Sequence, residues 1–278
     1  MTGHQHEHQH GAGAAQAELL DLDAQVFAPA VAAVHEEIDR LADAPLRTIL
    51  DVGAGTGAGT FALLRRFPDV RVVAVDASRD MLAGITARAA ALGLADRVRT
   101  VLVDLDHDMP STDLVDLVWA SASLHHLSDP AASLAELSAL LRPGGLVTVL
   151  EVDGFPRFVR DGTPGAAAEA RAHALLAADR AADMPSMGGD WGPRLEAAGL
   201  VVEHSRELTV DPAAVAPPLL GTYAAAALAA TRDATAGRLE PREVAALDAL
   251  VSGGPHDVRH RGDLQVTGRR TAWIARRP

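Results

Sequence analysis

The sequence predicts an α/β protein: a doubly wound, mostly parallel sheet of seven strands with helical insertions. Three observations predict it. Short apolar runs alternate with helix-like stretches between residues 47 and 152. Most of these runs are continuous in Val, Ile, Leu and Ala, as strands covered on both faces require. The first run ends in a glycine-rich turn, Gly53-Ala54-Gly55-Thr56-Gly57, at the carboxyl end of a strand, where open α/β sheets bind ligands.

Taken in order, residues 15–43 read as helix, with Leu19, Leu20, Val26, Phe27, Val31, Val34, Ile38 and Leu41 mostly three or four apart. Pro29 should divide or kink this stretch, because proline lacks the N–H that a helix interior needs. Residues 47–52 form the first strand and 60–67 a short helix. Residues 70–76 form a Val-rich second strand. A helix over 78–92 follows, with Ser78 as N-cap. Strands follow at 98–103 and 114–120. A helix over 129–141 is stopped by Pro143-Gly144-Gly145, a turn read as structural, and 146–152 is the fifth strand. Alternation of strands with helices implies parallel crossovers. Beyond residue 153 the pattern changes. Helices are expected at 164–183, 191–198, 213–232 and 241–251, with strands at 200–210 and 271–275. The expected organisation is a disordered His-rich tail over 1–14 and one domain over 15–278. Within it lie N-terminal helices (15–44), a ligand-binding core (45–153) and helical lid elements (154–189 and 211–252).

Composition narrows the chemistry. The chain has 278 residues, 48% of them hydrophobic, enough for a sizeable core. It has no Cys, hence no disulfide, thiolate metal site or Cys nucleophile, and no Lys, hence no Schiff base and no P-loop lysine. No metal site is expected, although His4, His6, His8 and His10 are spaced in a way that could bind metal weakly. Neither a membrane-spanning run nor a secretory leader is visible, so a soluble cytoplasmic protein is expected. The net charge of −12 argues against a nucleic-acid partner. The terminal cluster of Arg259, Arg261, Arg269, Arg270, Arg276 and Arg277 reads as a solvated strand edge.

Two motifs make an adenosine-type site without naming its ligand. Glycines let the chain turn with positive φ and let a ligand approach bare backbone. Asp76, ending the second strand about 20 residues past the loop, can accept from both ribose hydroxyls. Both features suit NAD and S-adenosyl-L-methionine equally, and Gly53-x-Gly55-x-x-Ala58 fits the relaxed dinucleotide fingerprint.

Further segments separate the two: residues 75–78 with Met81-Leu82, then Asp104, Asp116-Leu117-Val118, Leu124-His125-His126-Leu127 and Leu141-Arg142-Pro143-Gly144-Gly145. With the glycine loop, over about residues 45–153, the sequence resembles the class I S-adenosylmethionine-dependent methyltransferases of small-molecule type, with their Rossmann-like fold. The resemblance implies roles. Asp51 would orient the methionine ammonium; Gly53, Ala54, Gly55 and Gly57 would run under the methionine and ribose. Asp76 would bind the ribose diol, and Ala77 and Met81 would pack beside the adenine. Asp104 would accept from the adenine amino group and Leu105 would offer its N–H. Ala120 and Ser121 would line the sulfonium side. The ligand's charges agree: it carries an ammonium and a sulfonium but no phosphate, and three carboxylates face it.

His125, His126 and Glu151 are the candidate catalytic residues, as a proton acceptor or as anchors of the loop after the fourth strand. The expected reaction is in-line methyl transfer to an O, N or C nucleophile of a small-molecule substrate. Two alternatives stand beside it: a non-methylating cyclase or binding protein on the same fold, and an NAD-dependent oxidoreductase. Phe155, Phe158, Trp191 and Tyr223 are the large rings of the second half, available for an apolar acceptor pocket, a helical core or a dimer face. Phe27 is expected to fold over the cofactor. Homodimerisation is left open, and no membrane partner is expected.

Overall fold

The computed structural model describes residues 3–278, with side chains from residue 13 onward. The side chains of His4, His6, His8 and His10 lie outside the described part, and the expectations placed on them fall there too. In chain order the first elements are α1 (Gly3–Leu41), β1 (Thr48–Val52), α2 (Ala58–Arg66), β2 (Arg71–Asp76), α3 (Arg79–Ala91), β3 (Val98–Leu102) and β4 (Val115–Ser121). Then come α4 (Pro130–Ala139), β5 (Leu141–Val152), α5 (Ala166–Asp183), α6 (Gly192–Ala197), β6 (Val201–Leu208), α7 (Pro217–Thr235), α8 (Pro241–Val251) and β7 (Arg270–Arg276). No helix among the described residues is long and apolar enough to cross a membrane.

The chain divides into two compact units. The sheet unit comprises Pro29–Asp153, Ser186–Leu208 and Arg270–Pro278. Its seven strands lie in the order β3-β2-β1-β4-β5-β7-β6. The first five run parallel, and β7 inserts antiparallel between β5 and β6. The apolar runs behave as strands of a doubly covered sheet should. Ile49 packs into a layer with Val34, Ile38, Phe61, Leu63 and Ile85, so α1, α2 and α3 cover that face. Leu50 and Val52 point the other way, into a layer with Leu134, Leu137, Trp191 and Leu195 that α4 and α6 close. The alternation along β1 is the two-residue period of a strand used on both sides.

Two expectations change. Pro29 does not divide the first helix: α1 runs through it, although the boundary between the units falls at Ala28–Pro29. Phe27 just before it is buried, as are Val34 and Ile38 after it. Secondly, the helix expected to reach residue 141 ends at Ala139, and β5 starts at Leu141 and runs through Pro143-Gly144-Gly145. The turn is therefore a bulge inside the strand. Val115 pairs with Leu141, yet Leu117 pairs with Leu146, so the ladder skips the proline, which has no N–H to give it. A Cβ on Gly145 would lie 2.9 Å from the Arg142 carbonyl oxygen.

The strand ends remote from the glycine loop are pinned by charge. Asp116 accepts from the backbone N–H of Arg47 and Thr48, both at 2.8 Å, and from Arg142 at 2.6 Å. The terminal arginines have similar structural work. Arg276 binds Glu203, Asp43 and the carbonyls of Leu41 and Gly144, and Arg277 donates to the carbonyls of Ala139 and Leu141.

The helical unit comprises Met1–Ala28, Gly154–Pro185 and Thr209–Arg269. It gathers the segments expected as lid elements. Tyr223 on α7 is buried, meets Phe158 edge-on at 5.1 Å and donates to Asp23 on α1. Arg259 and Arg261 pair with Asp257 and Asp263. Of the four large rings, Phe158 and Tyr223 are core here and Trp191 is core in the sheet unit, which leaves Phe155 as the exposed one. Phe27 is buried as well.

Candidate functional site

The site is built at the carboxyl edge of β1, β2 and β4. Strand β1 delivers Asp51 to the row it shares with Ala74 and Trp119, then stops at the glycine turn. Gly53 (φ +66°) and Gly57 (φ +81°) hold left-handed backbone, which L side chains resist. Packing makes the first of these absolute: a Cβ on Gly53 would fall 2.4 Å from the Ser123 Cβ. Gly57 caps α2, and the Ala54 N–H donates to the Val75 carbonyl, which ties the turn to β2.

Asp51 is almost fully buried, 2% exposed. Burial pushes its carboxyl up to about 6, the hydrogen bond from Thr60 pulls it down, and the nearby Asp76 charge adds to the rise. Thr60, in the first turn of α2, donates its hydroxyl to Asp51 Oδ2 at 2.5 Å and is itself buried. Thr60 carries no sequence signal, because an inward hydroxyl nine residues after an acid forms no motif.

Asp76 is held by backbone alone. Its Oδ2 accepts from the Gly55 N–H at 2.8 Å and its Oδ1 from the Ser78 N–H at 2.7 Å. Each oxygen keeps a lone pair for a further donor. Ser78 caps α3 as the sequence predicts, accepting from the Met81 N–H. Ala77 is exposed beside it and Met81 half-buried. Asp104, just past β3, is exposed, with its Oδ1 accepting from Asp106 N–H at 3.1 Å, and Leu105 is half-buried. Asp106 accepts from both the N–H and hydroxyl of Ser128, binding this loop to the one after β4.

Ala120 differs from its expected role. It is fully buried and packs in the core layer with Val52 and Val118, so its side chain lines nothing. Ser121, the last residue of β4, is half-buried at the edge.

His125 and Glu151 form one buried assembly, 4% and 3% exposed. Glu151 Oε1 accepts from the backbone N–H of Ser123 at 3.2 Å and Leu124 at 2.9 Å, and Oε2 meets His125 Nδ1 at 2.5 Å. Ser123 in turn donates its hydroxyl to the Val52 carbonyl. One carboxylate at the end of β5 thus pins the turn after β4, and that turn abuts Gly53. Ala122 within it has φ +52°, the one positive φ outside glycine among the described residues. Such strain persists only where the surroundings dictate it. His126 lies 4.2 Å from His125, ring to ring, and is exposed. Partial burial and the neighbouring His125 lower its pKa, against the pull of Glu151, so a neutral imidazole is favoured there.

Residues 49–145 match the family model described as a methyltransferase domain. A trans-aconitate 2-methyltransferase of Azoarcus sp. (strain BH72) is 40% identical over 114 residues, 40% of this chain and 42% of that protein. A malonyl-[acyl-carrier protein] O-methyltransferase of Laribacter hongkongensis is 33% identical over 139 residues, 46% of each. The chain thus spans less than half the length of these curated relatives. Among solved structures, a putative methyltransferase of Bacillus halodurans C-125 superposes with a TM-score of 0.52 at 20% identity, over 88% of this chain and 98% of that one. The [4+2]-cyclase SpnF superposes with a TM-score of 0.51 at 22% identity, over 88% and 80%. At these identities the likeness is one of fold.

Proposed function

We propose that this chain, whose residues 49–145 match a methyltransferase-domain model, is a class I enzyme that transfers a methyl group from S-adenosyl-L-methionine to a small-molecule acceptor. The observation that carries the reading is the pair of carboxylates at the glycine loop. Asp51 is buried with one oxygen held by Thr60, and Asp76 is aimed by two backbone donors. A buried acid raised to about 6 is short of a cation, and an ammonium supplies one. The lone pairs left on Asp76 suit a ribose diol, and Asp104 suits an exocyclic amine.

Bound there, the cofactor supplies a methyl carbon already activated by its sulfonium. What remains for the protein is alignment, which can lower a barrier by roughly 7–11 kcal/mol. The chain's residues divide that work. Asp51, Asp76 and the glycine turn orient the donor, while Glu151 and His125 hold the turn that abuts it. His126, exposed and neutral, takes the proton of an acceptor that arrives protonated. The family match ends at residue 145, before the helical unit's segment begins at Gly154, so the acceptor's identity is not carried over from relatives.

Isothermal titration tests the cofactor. S-adenosylmethionine is expected to bind and NADH is not. Asp76→Ala should weaken binding by about tenfold or more, the cost of a lost charged hydrogen bond. NADH binding without S-adenosylmethionine binding would overturn the reading. His126→Ala should lower kcat about 10²-fold for a hydroxyl acceptor and leave cofactor affinity unchanged. An unaltered kcat across the pH range would remove His126 from proton transfer.

A further inference from the structure

Trp119 stands beside Asp51 in one row of the sheet, β4 against β1. Its indole is 1% exposed, and its Nε1–H has no acceptor among the described residues. A buried tryptophan N–H ordinarily has a partner, because an apolar interior does not replace the hydrogen bond it made with water. The ring cannot swing away to find one. His35 of α1 packs against it with ring centres 5.0 Å apart, and Trp119 lies in the apolar layer that α1, α2 and α3 cover.

This N–H borders the bare Cα of Gly59, the second residue of α2. Glycine is a poor helix former, and Gly59 has no positive φ to call for it. Its surroundings do call for it. A Cβ there would lie 3.1 Å from Trp119 Nε1 and 3.4 Å from Asp51 Oδ2. The first distance is crowded for a carbon and ordinary for an oxygen that accepts from an N–H. The second closes to hydrogen-bond length with a small displacement toward the carboxylate. Asp51 Oδ2 already accepts from the Thr60 hydroxyl, and a carboxylate oxygen has room for a second donor. One oxygen over Gly59 thus reaches a donor and an acceptor that do not bond each other directly.

We propose that Gly59 leaves room for an ordered water through which Trp119 Nε1 holds Asp51, which makes Trp119 a positioning residue for the acid that receives the cofactor's ammonium. The water accepts from the indole and donates to Oδ2, a contact that favours the ionised carboxylate. The other groups that act on Asp51 are Thr60 of α2, through its hydroxyl and backbone, and Asp76 of β2, whose charge opposes ionisation. From α1, His35 is lowered to about 4 by burial, then by Arg66 and Arg65, so it is neutral beside the indole at ordinary pH. From β5, the register neighbour of Trp119 is Thr148, which carries no charge. The role in cofactor binding rests on the methyltransferase reading; the water and its hold on Asp51 do not.

The test follows the Asp51 carboxyl by carbon-13 nuclear magnetic resonance in the full chain without cofactor. The parent is compared with Trp119→Phe, Gly59→Ala and the double variant. Trp119→Phe keeps a ring and removes the donor. Gly59→Ala keeps the indole, favours the helix and puts a methyl where the water sits, so it carries the test if Trp119→Phe does not fold. Each should raise the Asp51 pKa by about one unit, because the ionised form loses a hydrogen bond. The double variant should rise no further than either single one, because both remove the same molecule. With S-adenosylmethionine added, both variants should lose affinity about tenfold below about pH 6 and little above about pH 8, whereas a merely structural defect lowers affinity at every pH. Failure of the parent to bind S-adenosylmethionine would count against the methyltransferase reading alone and leave the carboxyl titration standing. If either variant, folded, leaves the Asp51 titration where it is in the parent, or if the two shifts add in the double variant, the proposal is wrong.

Discussion

Glu151→Ala is expected to lower the stability of the sheet unit by about 3–5 kcal/mol, since several buried hydrogen-bonding groups are left unsatisfied at roughly 1–3 kcal/mol each. Three partners lose their acceptor together: the N–H groups of Ser123 and Leu124 and the Nδ1 of His125. Leu124 and His125 cannot turn to water, because both are buried. The turn these groups fix contains Ala122 in left-handed backbone, and without Glu151 that strain has no counterweight. Its release moves Ser123, whose Cβ fills the space a side chain at position 53 would need. Cofactor affinity should fall with stability. Glu151→Gln keeps one carbonyl-type oxygen for the two backbone donors and should lose about half as much. Urea denaturation of the three proteins decides it. A Glu151→Ala variant with an unchanged midpoint and reduced turnover would make Glu151 a participant in chemistry and not a strut.

That result bears on what a sequence can say about this site. The cofactor edge is legible because its requirements are local. The φ of Gly53 is set by the turn, Asp76 sits at a strand end, and Ser78 caps the helix that follows within three residues. The parallel, doubly wound class of the sheet is legible for the same reason, since apolar runs joined by helices admit few arrangements. The non-local parts were not. Glu151 and His125 are 26 residues apart, and which of them anchors and which reacts depends on burial. Thr60 gains its meaning from the Asp51 carboxylate it meets across the turn. The bulge at Pro143 follows from pairing with β4, which a run of residues cannot announce. The resemblance implies that Ala120 lines the sulfonium side, whereas its side chain packs in the core layer with Val52.

Asp51→Asn should stabilise the ligand-free protein and weaken its hold on S-adenosylmethionine. In the fold the Asp51 carboxyl is raised from 3.8 to about 6, first by burial and then by Asp76, with Thr60 opposing. The folded state therefore binds the proton more tightly than the unfolded chain does. Stability falls as pH rises through that window and the full penalty stands above about pH 6. The shift corresponds to about 3 kcal/mol at most, at 1.36 kcal/mol per unit. An amide carries no such penalty and can still accept from Thr60, so the denaturation midpoint at neutral pH should rise. Binding runs the other way. The ammonium needs the ionised acid, so affinity in the parent should drop as pH falls below about 6, approaching tenfold per unit. In Asp51→Asn that acid limb should vanish and affinity at neutral pH should be lower by roughly 10- to 100-fold, the value of a hydrogen bond to a charged group. Titration calorimetry at several pH values, paired with denaturation of the ligand-free proteins, reads both signs at once. An Asn variant that is less stable at neutral pH, or that keeps the parent's pH profile for cofactor binding, would show that Asp51 is a structural acid and not the site's reserved countercharge.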